Sequence, residues 1–233
     1  MINRPANSLT IFSLICGFFS IIFSLEQQFT FACWAIMLSV IFDGLDGQIA
    51  RRNPTPSAFG KELDSLVDVV SFGIAPSVLG YIFIYREFKP WAAVALFVYL
   101  LCSVLRLAKY NVTPKEEMHN YFYGLPTTVS GGTLASFVLI YRKKGLTLLP
   151  DYVPALFILM VLVLSCLMLS RIRYPNLDAI KKILGRNQLL IVLAVVLVFS
   201  EAAFAKKIGI TAFALFLIYL LFSPFVVKSL DGK

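Results

Sequence analysis

Eight apolar windows run through the chain, near residues 9–25, 29–50, 57–84, 90–109, 126–141, 152–170, 188–204 and 209–227. Most approach the roughly 20 residues that carry a helix across ~30 Å of hydrocarbon at 1.5 Å per residue. Inside lipid every backbone N–H and C=O must be satisfied without water, which helices do within a single segment. The expectation is therefore an all-α integral membrane protein, a bundle of about eight transmembrane helices. Composition agrees, with 59% of the 233 residues hydrophobic and only 15% charged, where soluble domains carry about a quarter. The windows leave no room for a soluble domain, and neither repeats nor low-complexity segments interrupt them. After the first window, Leu25 leads directly into Glu26-Gln27-Gln28 with no small-residue cleavage site, so the window is read as a retained helix.

Charge placement orients the bundle. If the N-terminus and the even-numbered connections share one side, that side carries 14 of the 21 lysines and arginines, among them Arg51, Arg52, Arg171 and Arg173. The opposite side carries Arg86, Lys89, Arg142, Lys143, Lys144, Lys206 and Lys207. The excess predicts a multi-pass protein of the cell membrane with both termini in the cytoplasm, although Arg142-Lys143-Lys144 runs against it locally. The net charge of +8 suits anionic lipid headgroups; no basic soluble domain exists to bind nucleic acid. Cys16, Cys33, Cys102 and Cys166 stand singly in apolar windows and read as packing residues rather than zinc ligands or disulfides. His119 is the only histidine, in a polar connection.

Against this background four aspartates stand out. Asp43 and Asp46 are three residues apart, Asp64 and Asp68 four apart, so each pair shares a helical face. Between them Arg51-Arg52-Asn53-Pro54-Thr55-Pro56 ends one helix and starts the next. Asp46 and Asp64 each lie nine residues from Thr55, and Asp43 and Asp68 lie twelve and thirteen away. Folding the hairpin there puts facing partners at nearly equal depth, about 12–18 Å from the turn. Helices ~8–10 Å apart would aim all four carboxylates into one small volume. An unpaired buried charge is costly, so either protons or cations must neutralise them. Oxygen-only ligands suit Mg²⁺, Mn²⁺ or Ca²⁺, and four carboxylates suit two such ions about 3.5–4 Å apart, gripping phosphoryl oxygens. Gly44, Gly47 and Gly60 clear side chains from the same region, and Arg51 places a cation at its mouth. Arg52 reads first as a membrane-surface anchor.

These residues spell D-x-x-D-G-x-x-A-R-x8-G-x3-D-x3-D through Asp43, Asp46, Gly47, Ala50, Arg51, Gly60, Asp64 and Asp68. The pattern resembles the signature of the CDP-alcohol phosphotransferase family. The resemblance implies a six-helix core, here residues 1–186, often in a homodimer, with residues 187–233 as an added C-terminal helix pair. It implies that Asp43, Asp46, Asp64 and Asp68 bind two divalent cations, Mg²⁺ or Mn²⁺. It further implies that Asp68 is the catalytic base, and that Gly47, Arg51 and Ser57 contact the CDP group of a CDP-activated lipid, with Ala50 and Gly60 in the same motif. Asn7-Ser8-Leu9-Thr10 resembles the family's N-x-x-T at the cytidine pocket, Asn7 and Thr10 being the matching positions. Capping of the first helix accounts for Asn7 and Ser8 equally well.

Beyond the motif, "LDSLVDVVSFGIAPS" (63–77), "RLAKYN" (106–111) and "YFYGLPTT" (121–128) are similar to the serine-using branch of that family, the phosphatidylserine synthases. Asp68 is followed by Val69-Val70, where members that use glycerol phosphate usually carry Asp-Lys. Serine needs a cation for its carboxylate; Arg106 and Lys109 are in place for that, or equally as snorkelling anchors. Another acceptor (glycerol phosphate, an inositol phosphate or ethanolamine) would leave the chemistry unchanged. A divalent-cation transporter is the other class to weigh, but no paired broken helices or inverted repeats support it.

Overall fold

The computed structural model describes residues 5–52, 58–113, 121–141, 152–175 and 208–231. Helix α1 (Pro5–Leu25) turns back into α2 (Phe29–Arg52) through three residues. Gln27 takes the left-handed conformation there, with φ 60°, and the amide of Gln28 closes the turn onto Phe23 O at 2.8 Å. So short a connection makes the two helices antiparallel neighbours. Small polar residues form their seam: Ser13 and Ser39 hydroxyls meet at 2.7 Å, and Ser20 donates to Ala32 O at 3.0 Å. In lipid, where apolar burial does not drive helices together, close approach and such bonds do.

Helix α3 (Ala58–Asp68) continues through a π-helical turn (Val69–Ile74) into α4 (Ala75–Val112). The widened turn has a local cause. Pro76 has no N–H to give Phe72 O, and the ladder shifts register, Ala75 N donating to Val70 O. The Tyr99 hydroxyl donates to Phe72 O instead, at 2.9 Å.

The helical segment Ala75–Val112 is longer than one crossing needs, and its two halves lie side by side. Ser77 Oγ reaches Leu96 O at 3.4 Å, and Tyr99 meets Phe72. The chain therefore reverses between the apolar spans Ala58–Ile84 and Pro90–Val112, as the two separate windows anticipate.

Helix α5 (Thr127–Tyr141) is the buried axis of the bundle, with every residue from Ser130 to Leu139 inaccessible. Its glycines allow this. A Cβ on Gly131 would press on Phe72, and one on Gly132 would overlap the Phe216 ring. Helix α6 (Tyr152–Leu169) packs on α4 through Phe157, which faces Gly80. The last helix, α7 (Ile208–Asp231), lies along α5, with Phe213 edge-on to Phe137.

Among the described residues, five helical spans are long and apolar enough to cross a membrane: Asn7–Leu25, Phe29–Ile49, Ala58–Ile84, Pro90–Val112 and Tyr152–Leu169. Thr127–Tyr141 and Gly209–Leu221 are shorter apolar helices. Phe12, Phe18, Phe19, Trp91 and Phe97 are exposed on the outside, as lipid-facing residues are. The chain is a multi-pass, helical membrane protein. The window at 188–204 lies outside the described residues. One feature was not anticipated: β1 (Tyr121–Tyr123) pairs antiparallel with β2 (Arg173–Pro175), Phe122 opposite Tyr174. Gly124 makes the exit from β1 possible: its φ is +76°, and a Cβ there would overlap Met168 O.

Candidate active site

The hairpin brings its carboxylates together as the spacing requires. Oxygens of Asp43 on α2 and of Asp64 and Asp68 on α3 all lie within 4.8 Å of one another. Asp43 and Asp68, on facing helices, are neighbours within this cluster. Asp46 departs from the expectation that all four carboxylates point into one small volume. It is buried beside Asp43 but stands outside the three-carboxylate cluster, and it accepts a 2.7 Å hydrogen bond from Thr10 Oγ1. The physical reason is helical: Asp46 sits one turn along α2 from Asp43, where α1 is the neighbour.

Asn7 and Thr10 are both buried at the start of α1, and the bond to Asp46 joins Thr10 to the aspartate cluster. Gly47 and Gly60 are half-buried on the facing helices. Among the described residues nothing lies within 4 Å of a Cβ built on Gly44. The side chains of Ala50 and Arg51, and all of Ser57, lie outside the described residues.

The donor set fits a hard cation. Three acceptor-only groups converge, and Asp68 Oδ1 is buried with no hydrogen-bond partner among the described residues. A buried, unsatisfied carboxylate oxygen calls for a cation or a donor.

The structure separates the two basic residues of "RLAKYN". Lys109 is exposed. Arg106 is buried, 8% exposed, and lies in the electrostatic field of Asp68 and Asp43. Its Nη1 donates to Thr127 Oγ1 at 3.3 Å, while Nε has no partner among the described residues. Thr127 follows the Gly124 turn and Pro126, so "YFYGLPTT" is the segment that carries Arg106's partner.

Other members of this surround escaped the sequence reading. Asn111 Nδ2 donates to Ser65 Oγ at 2.8 Å, and Lys61 Nζ to Asn111 O at 2.8 Å. Tyr219 of α7 lies in the field of Arg106 and donates to Pro175 O at 3.1 Å. Asn111 was visible within the quoted "RLAKYN"; Tyr219, in an apolar window, offered no signal.

A carboxylate cluster on a helical hairpin, with a buried arginine in its field, is the candidate site of this helical membrane protein. The sequence profile of the CDP-alcohol phosphatidyltransferase family matches residues 4–169, and the chain belongs to that family. Its relatives include a CDP-diacylglycerol–serine O-phosphatidyltransferase of Helicobacter pylori, 34% identical over 91% of this chain and 87% of the relative. An archaetidylserine synthase of Methanothermobacter thermautotrophicus is 35% identical over 73% of this chain and 69% of the relative. A further CDP-diacylglycerol–serine O-phosphatidyltransferase, of Methanocaldococcus jannaschii, is 34% identical over 60% of this chain and 62% of the relative.

Proposed function

We propose that the chain is a serine phosphatidyltransferase: it moves the phosphatidyl-type group of a CDP-activated lipid to L-serine and releases CMP. The observation that carries this is the pairing of the three-carboxylate cluster with a buried, incompletely paired guanidinium. The first suits a pyrophosphate with its counter-ions, the second the carboxylate of an amino acid. The names of the relatives, one joining CDP-diacylglycerol to serine and another making archaetidylserine, support the same reading.

In this reading the lipid tails stay in the bilayer and the CDP group lies against the start of α1 and the glycine-bearing face of α2. Asp43, Asp46, Asp64 and Asp68 would hold two divalent cations, Mg²⁺ or Mn²⁺. When bound, these supply Lewis-acid neutralisation of the pyrophosphate and of the departing CMP. Thr10 fixes the rotamer of Asp46 by its hydrogen bond. Arg106 orients serine through its carboxylate, so that the hydroxyl faces Asp68. Asp68 Oδ1 accepts the hydroxyl proton as the serine oxygen bonds to the lipid-linked phosphorus. The bond from that phosphorus to the CMP oxygen breaks, and CMP leaves with the electron pair. Burial around Asp68 and Arg106 keeps water from competing.

The catalytic unit is taken as residues 1–186, with 187–233 as an added helical segment, in a homodimer whose site faces the cytoplasm. The deciding experiment supplies purified protein with CDP-lipid, Mg²⁺ and labelled serine, and resolves the product by headgroup. Label in a serine-containing lipid with matching CMP is the expected result. CMP formed only with glycerol phosphate, inositol phosphate or ethanolamine would reassign the acceptor. EDTA should abolish turnover and Mg²⁺ or Mn²⁺ restore it; activity indifferent to EDTA would remove the metals from the scheme.

A further inference from the structure

We propose that Asn111 reads the ammonium group of the acceptor, so that Arg106 and Asn111 together select an amino acid over a simple alcohol; this rests on the serine reading above. Among the described residues, four buried side-chain atoms lack a hydrogen-bond partner: Asp68 Oδ1, Ser103 Oγ, Arg106 Nε and Asn111 Oδ1. Ser103 packs deeper, beside Gly73. The other three lie on α3 and the second half of α4, which the hydrogen bonds of Asn111 to Ser65 and Lys61 link. Ser65 meets Asn111 there, and Asp68, three residues on, meets the field of Arg106.

The orientation of the Asn111 amide follows from its neighbours. Ser65 Oγ donates to Lys61 O at 3.1 Å, so its hydrogen is committed and the oxygen is left to accept. Asn111 Nδ2 fills that role at 2.8 Å. Reversing the amide would set oxygen against oxygen, so Oδ1 is the atom turned away from Ser65. Lys61 holds the backbone of the same residue through its carbonyl. Asn111 is thus fixed in place with an acceptor that no described residue meets, a costly arrangement unless a donor arrives.

The three bare atoms complement serine group by group. Arg106 offers N–H to a carboxylate, Asn111 offers oxygen to an ammonium, and Asp68 offers oxygen to the hydroxyl. Arg106 and Asn111 are five residues apart, about 7.5 Å of helical rise. Five residues are also about 140° around the helix, so it is the long Arg106 side chain, drawn toward Asp68, that has to bring its guanidinium to Asn111's side of α4. A purely mechanical role is the plain competitor: the bonds to Ser65 and Lys61 also clamp α3 to the end of α4.

The test uses the purified full-length protein with CDP-lipid. It compares KM for L-serine with the inhibition constant of 3-hydroxypropanoate, which is serine without its ammonium, in wild type, Asn111→Ala and Asn111→Asp. Asn111→Ala is expected to raise KM for serine about ten- to hundredfold and to change 3-hydroxypropanoate inhibition less than about threefold. Asn111→Asp keeps an oxygen at the critical position, and the Ser65 hydroxyl can turn from Lys61 O to donate to the second carboxylate oxygen, so the preference for serine should be retained. Equal weakening of both ligands in Asn111→Ala, or loss of the preference in Asn111→Asp, would leave only the clamp and overturn the proposal. Wild-type protein that bound 3-hydroxypropanoate as tightly as serine would overturn it while leaving serine transfer intact. Wild-type protein that released no CMP with serine would sink the serine reading, and Asn111's role with it.

Discussion

The two sides of the site are built in opposite ways. The carboxylate side comes from one hairpin, α2 and α3, with its three clustered groups within 26 residues of sequence. The proposed acceptor side gathers Lys61 and Ser65 from α3, Arg106 and Asn111 from α4, Thr127 from α5 and Tyr219 from α7. The first is a local device whose geometry is set by helical period and one turn. The second exists only when the whole bundle has packed. Damage to the first should therefore remove chemistry, and damage to the second should change which acceptor is used and how well.

The largest effect belongs to the carboxylate side. Asp68→Asn should lower turnover by about 10²–10⁴-fold, the usual worth of a positioned base, while CDP-lipid still binds. Rates of CMP release beside a CDP-lipid binding measurement check this; near-normal CMP release would break the assignment of Asp68 as base. Arg106→Ala comes next and probes the other side. Losing a charge-assisted contact should raise KM for serine about ten- to hundredfold and leave KM for CDP-lipid within about threefold. Equal effects on both substrates would make Arg106 structural and erase the proposed division of labour.

The same contrast explains what could be read from the sequence. The spacing of Asp43, Asp64 and Asp68 around a Pro-bounded turn contains enough geometry to place three carboxylates together. Asp46 was legible as a candidate, but its partner was not, because Thr10 sits 36 residues away on a helix whose rotation about its axis no local pattern fixes. Arg106 and Lys109 looked alike as residues at a helix end. Burial separates them, and burial depends on α5 and on the turn at Gly124, both decided by distant packing. The π turn was likewise hidden, since Pro76 alone does not say which carbonyl Tyr99 will rescue.

Thr10→Val sharpens the boundary between the sides at a smaller scale. The valine keeps the shape and removes the donor to Asp46, so a neutral-to-charged hydrogen bond is lost without a cavity. Turnover should fall roughly tenfold with KM for serine unchanged, read from steady-state CMP release. A selective change in KM for serine would instead place Thr10 functionally with the acceptor side.

Tyr219→Phe should have the smallest effect and bears on the part of the chain beyond the family match, which ends at residue 169. Tyr219 binds α7 to the β-ribbon in two ways. Its hydroxyl donates to Pro175 O at 3.1 Å, and its ring stacks on Tyr174 with centroids 6.0 Å apart. Phenylalanine keeps the stack and deletes one hydrogen bond, worth about 0.5–1.5 kcal/mol. For a chain of this size that is a fall of a few degrees in Tm, on the order of 2–4 °C per kcal/mol. KM for serine should move less than about threefold, because Tyr219 lies in the field of Arg106 while Arg106's hydrogen bond goes to Thr127. A tenfold rise in KM with unchanged Tm would reverse the ranking. It would make the phenolic oxygen a direct participant in holding the acceptor and put α7 inside the site's working surface, not merely behind it.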